Sequence, residues 1–167
     1  VWFYDVLDDR FSFSQSWWTV LGYDVAETDR NQMSWIGRID PVHQQAVLDA
    51  TDALIEGRTD VLSVEYRIRT GDGAYRWLHA RGAVAERTPD GRAWILSGTF
   101  SDITGRKEVE RLIRVQADLM EAAPIGLLIA DAGEPDFPLL YINPAGRHLF
   151  GIGVDATAPL PGIPALA

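Results

Sequence analysis

No cysteine occurs among the 167 residues. That absence removes disulfides, thiolate metal sites and cysteine nucleophiles together, and it suits a reducing cytoplasm. No apolar stretch approaches the roughly 20 residues that span a bilayer. No basic segment followed by an apolar one marks a signal peptide either. Positive charge is scarce: 15 Lys and Arg stand against 24 Asp and Glu, for a formal charge of −9. The densest cationic run is Arg106-Lys107, so a nucleic-acid surface, which wants clustered cations, is not expected. Catalytic words are missing too. The chain shows no Ser-His-Asp order, HExxH pair or paired-carboxylate motif, and no catalytic residue, metal site or cofactor is assigned.

What is present suits a globular domain with a sizeable core. Hydrophobic residues make up 47 %, and the length allows one ordinary domain plus a remainder. Val1 sits directly in an aromatic run, so the chain reads as an excised piece of something longer. Residues 1–7 are aromatic and β-branched, and Phe11 to Ser14 alternates apolar with polar, which predicts a hairpin turned at Asp8-Asp9-Arg10. Ser16 is placed to cap a short helix that Gly22 stops. Residues 24–40 read as irregular, anchored by Trp35, Ile36 and Ile39. Pro41 opens a helix that Gly57 closes. Three strands follow, joined at Gly71-Asp72-Gly73 and Thr88-Pro89-Asp90-Gly91 into a meander. Thr104 is placed to cap a helix reaching about Ala122, where Pro124 ends it. Beyond it lie two apolar runs separated by an insertion (133–138), a helix opened by Asn143-Pro144, and a tail (152–167) rich in Pro, Gly and Ala.

Several words along this order resemble one family. Trp18-Thr-Val-Leu-Gly-Tyr23 is similar to the segment that follows the second strand of PAS domains, and Trp35 to Pro41 resembles the element before their long helix. Glu65-Tyr-Arg-Ile-Arg69 with Asp72-Gly-Ala-Tyr-Arg-Trp77 resembles the signature of the PAS subfamily that carries a PAC motif. Asp90-Gly-Arg92, Gly98-Thr-Phe-Ser-Asp-Ile-Thr104 and Arg106-Lys107 resemble its close. A second, shorter match, at Ala123-Pro-Ile-Gly-Leu-Leu-Ile-Ala-Asp131 and Tyr141-Ile-Asn-Pro-Ala145, is similar to the opening of another PAS domain. One word departs: the family's His-Pro-x-Asp reads Asp40-Pro-Val-His43 here.

The resemblance implies an α+β fold, a five-stranded antiparallel sheet with short helices on one face and a C-terminal exit helix. The implied organisation is a PAS/PAC sensor domain over 1–104, a signalling helix over 105–122 and an incomplete second PAS domain over 123–167. With the family's orientation, Tyr66, Ile68, Leu78, Ala80, Leu96 and Phe100 face inward. Two readings of that set stand: it fills a core, or it lines a pocket for a small apolar ligand. Asp102 and Thr104 sit where the family passes sheet strain into the exit helix. Val109, Leu112, Gln116 and Leu119 make a stripe at coiled-coil spacing, either a homodimer seam or a face packed on its own domain. His43, at a helix start, reads as a surface residue rather than a haem ligand, and His79 as a residue of the outer sheet face. Gly71-Asp72-Gly73 joins strands, not a strand to a helix, and so reads as a hairpin rather than a phosphate loop. Photochemistry through a cysteine adduct is excluded.

The function implied is a cytoplasmic sensory and dimerisation module of a multidomain signalling protein. Its output domain, further along the same chain, is expected to be the histidine kinase of a two-component system. The alternatives are a diguanylate cyclase output, a cofactor-bearing redox or gas sensor, and a ligand-free dimerisation scaffold. No nucleic acid and no membrane contact is expected for residues 1–167.

Overall fold

The computed structural model describes residues 1–23, 31–135 and 137–152. The irregular stretch 24–40, the insertion 133–138 and the tail 152–167 therefore lie partly outside the described residues. The chain divides into two compact units, Val1–Lys107 and Glu108–Ala167.

In the first unit β1 (Trp2–Asp5) and β2 (Arg10–Phe13) form the expected hairpin. β3 (Leu62–Arg69), β4 (Tyr75–Arg87) and β5 (Ala93–Asp102) form the meander. They join in one five-stranded antiparallel sheet of order β2-β1-β5-β4-β3. The join is made by β1, where Trp2 pairs with Gly98 and Tyr4 with Leu96. Because side chains alternate along a strand, one face collects the apolar set. Tyr66, Ile68, Leu78, Ala80 and Leu96 are each no more than 3 % exposed.

Three helices cover that face: α1 (Gln15–Leu21), α2 (Gln32–Ile36) and α3 (Pro41–Ile55). They bring Trp17, Leu21, Trp35, Ile36, Val47 and Leu54 into one cluster with the inward strand residues. α1 takes Ser14, not Ser16, as its cap residue, because Ser14 has the extended backbone of that position. The sequence reading has no helix over 32–36. α2 forms there because the Asn31 side chain accepts from the Ser34 N–H at 2.7 Å, which satisfies one of its orphan donors. α3, at 15 residues, is long for this layer. Its cap is Asp40, whose carboxylate accepts from the Val42 N–H at 3.2 Å. The acid that the family carries later in this turn thus finds a substitute one residue before the proline.

α4 (Thr104–Ala122) leaves the sheet and runs 19 residues with none of them buried. In the second unit β6 (Leu128–Ala130) pairs antiparallel with β7 (Leu139–Ile142), and α5 (Pro144–Phe150) follows. Asn143 is fully buried and caps α5 through the Gly146 N–H at 2.8 Å.

Candidate functional site

A cavity of about 40 Å³ lies in the first unit between the sheet and the helices. Of the six residues expected to face a pocket, Tyr66, Ala80 and Phe100 line it. Ile68, Leu78 and Leu96 face the same interior but pack within the core cluster, outside the lining. The helices supply Gln32, Trp35, Ile36, Val47 and Thr51. Phe100 is the ring on which this wall is built: its centroid lies 4.6 Å from Trp17, 5.5 Å from Trp35 and 5.6 Å from Trp2. Such separations are those of favourable aromatic pairs.

Trp2 also lines the cavity and is absent from the sequence-derived set. Its place depends on two glycines. Gly82 and Gly98 face each other across β4 and β5, and a Cβ on either would come within 2.6 Å of Trp2 Cζ2. The indole therefore occupies the space that two missing side chains leave. A glycine inside a strand is itself a sign of close approach, so this wall was open to detection from the sequence.

Two polar atoms of the lining residues are buried with no hydrogen-bond partner, the Trp2 Nε1 and the Tyr66 hydroxyl. Burial raises the Tyr66 pKa far above the usual phenol range, with the adjacent Trp35 side chain acting in the opposite direction. The Tyr66 oxygen therefore keeps its proton across the physiological range.

A second set of contacts joins the sheet to α4. The Trp77 N–H donates to Thr104 Oγ1 at 2.9 Å, and the Ile103 N–H donates to the Trp77 carbonyl at 2.9 Å. Thr104 thus spends its hydroxyl on β4, not on the helix N–H groups that a cap would satisfy. Asp102 accepts from the Thr104 N–H at 2.9 Å and from Arg76 at 2.8 Å. Burial opposes the charge of Asp102, but these bonds outweigh it and lower its pKa. Glu65 pairs with Lys107 at 2.7 Å and with Arg106 at 2.6 Å. The Lys107 bond first, then that of Arg106, holds Glu65 below the usual carboxylate range.

His43 corrects the sequence reading. It is half-buried, its Nδ1 is enclosed without a partner, and its ring stands edge-on to Trp77 at 5.0 Å. The cause lies just before it. Ile39 bridges to Ile68 and the Asp40 N–H donates to the Arg67 carbonyl, while the Asp40 carboxylate pairs with Arg67. The start of α3 is thereby drawn onto the sheet edge, not left in solvent. His79 bonds Ser63 at 2.9 Å. Along α4, Val109, Leu112 and Leu119 are 56–67 % exposed, and Gln116 is exposed between them. No helix among the described residues is long and apolar enough to cross a membrane.

An open five-stranded antiparallel sheet, three covering helices and a helix rooted at Trp77 define a sensory fold with a pocket between sheet and helices. The family model described as PAS fold matches residues 10–100, and the chain belongs to that family. A second model, described as PAS domain, matches residues 110–166, so a PAS-like region follows the first. The chain is similar to the structure of a sensory box histidine kinase/response regulator from Burkholderia thailandensis. That match has 29 % identity and a TM-score of 0.60 over 70 % of this chain and 86 % of that one. It also resembles the N-terminal domain of a diguanylate cyclase with PAS/PAC sensor from Marinobacter aquaeolei. There the identity is 21 % and the TM-score 0.57, over 64 % of this chain and 95 % of the other. No curated protein matches the chain.

Proposed function

We propose that this chain is the sensory and dimerisation module of a sensor histidine kinase, receiving a cue in the cavity and passing it through α4 to an output domain. In this reading residues 1–104 sense, 105–122 relay, and 123–167 begin a second PAS domain. Of the two described neighbours, the 29 % identical one is a histidine kinase/response regulator, which is why a kinase output is preferred to a cyclase. The homodimer, the two-component partnership and the cytoplasmic setting belong to the same proposal.

The observation that carries it is the rooting of α4. The helix starts from a hydrogen bond to β4, buries none of its residues, and presents Val109, Leu112 and Leu119 to its surroundings. A stripe at this spacing gains most by meeting its own copy, and Gln116 within it would fix the register. Movement of β4 against its neighbours would then turn α4 in the dimer.

Replacing Leu112 with Glu tests this. Sedimentation of the chain should change from dimer to monomer, because two carboxylates would face each other in an apolar seam. Circular dichroism of the PAS core should be unchanged. A variant that stays dimeric places the interface elsewhere and sinks the α4 seam.

A further inference from the structure

The cavity has an unbalanced set of polar groups. Trp2 is 4 % exposed and Tyr66 1 %, and neither polar hydrogen has a partner. Buried donors without partners are rare and costly, so two of them on one cavity call for an occupant. They reach it from opposite sides. Trp2 comes from β1 and lies against Gly98 and Gly82 of β5 and β4, whereas Tyr66 comes from β3. Trp17, whose Nε1 is also unpartnered, is not among the lining residues and is left aside.

The chemistry of the occupant follows from counting protons and charges. The lining holds no Asp, Glu, Lys or Arg, so a charged ligand would lose its hydration and gain no counter-charge. Trp Nε1 can only donate, and Tyr66 has a proton to place. A carbonyl oxygen offers two lone pairs and brings no proton of its own, so both donors can be satisfied at one atom. An alcohol would add a third proton, for which the lining offers only the Gln32 amide and the Thr51 hydroxyl, itself bonded to the Val47 carbonyl at 2.8 Å. Water would fit the volume, but each molecule wants two to four polar partners. Most of the wall, including Phe100, Ile36, Val47 and Ala80, offers none.

We infer that the cavity takes a small neutral carbonyl compound of about three or four heavy atoms, its oxygen accepting from the Trp2 indole N–H and the Tyr66 hydroxyl. The inference rests on the reading of the core as a sensing pocket and narrows it to a ligand class.

The test uses the full chain labelled with nitrogen-15 and carbon-13, with acetone and 2-methylpropene as probes. The two probes have one shape, and only acetone carries lone pairs. The Trp2 indole signal is identified by its loss in Trp2→Phe. Acetone should shift it saturably, and 2-methylpropene should bind at least about tenfold more weakly. Tyr66→Phe should raise the acetone Kd about tenfold, with a melting temperature equal to or above that of the parent, since it removes an orphan hydroxyl. Equal binding of the two probes would overturn the carbonyl class and leave the pocket reading standing. No shift with either probe, at Trp2 or at the methyls of Leu62 and Val64, would overturn both. A lower melting temperature for Tyr66→Phe would show that the hydroxyl already has a partner, and would overturn the inference alone.

Discussion

The two units close their interiors by different means. Val1–Lys107 does it with apolar bulk, a single cluster drawn from every strand and helix of that unit. In Glu108–Ala167 one side-chain amide takes that place. Asn143 donates to the carbonyls of Met120, Ala123 and Ile125 and accepts from the N–H groups of Leu127 and Gly146. Ile142 is the one large apolar side chain buried among the described residues of that unit. Packing is distributed and tolerates local loss. A hydrogen-bond hub is concentrated, and its partners are stranded together when it goes.

The comparison breaks most visibly at Phe100. Phe100→Ala removes a ring shared by three tryptophans and should cost about 3 kcal/mol, the lower end for such truncations because the ring is only partly buried. Denaturant melts of the first unit check this. A loss below about 1 kcal/mol would show that the aromatic wall does not support the unit.

Asn143→Ala should cost about 2 kcal/mol, and only locally. Amide exchange should rise at 123–128 and 142–147 and stay unchanged in β3 to β5. Even in the parent, protection at 123–152 should be weaker than in the meander, since little apolar surface is buried there. Equal protection in both units would erase the contrast.

The smallest effect sharpens how the sheet meets α4. Glu65 is held below its usual range by Lys107 and then Arg106, so the folded form binds a proton less readily than the unfolded one. Its stabilisation is complete above the usual carboxylate value of about 4.3 and is lost as the pH falls through the lower folded value. Glu65→Gln should flatten that acid limb. At neutral pH it should cost under about 1 kcal/mol, because the pair is partly solvated. An unaltered acid limb would mean that the ion pairs add nothing to the junction.

Much of the fold is local and hence legible in sequence. Alternation over 61–70, the turn words and Pro41 each fix their element from a few neighbouring residues. α2 escaped because five residues make no period, and its cap lies next to residues with no pattern. The pocket was half legible: parity gave Tyr66, Ala80 and Phe100 but also selected Ile68, Leu78 and Leu96, since alternation assigns a face and not a depth. Gly82 and Gly98 signal a close approach in their strands, but that Trp2 fills it, and that His43 meets Trp77, depends on contacts between distant stretches. Asn143-Pro144 read correctly as a helix opening. The same amide's reach back to Met120 joins residues 23 apart, and so stayed hidden.

The bareness of α4 carries one further consequence. At about 1.5 Å per residue its 19 residues make a rod of about 28 Å. A helix of that length with no buried residue lies close to its coil transition in water. In the dimer proposed above, cover over Val109, Leu112 and Leu119 would supply much of the helix's stability. In that dimer its helicity should climb with protomer concentration, and a twist applied at Trp77 would travel only along chains whose helix has found its partner.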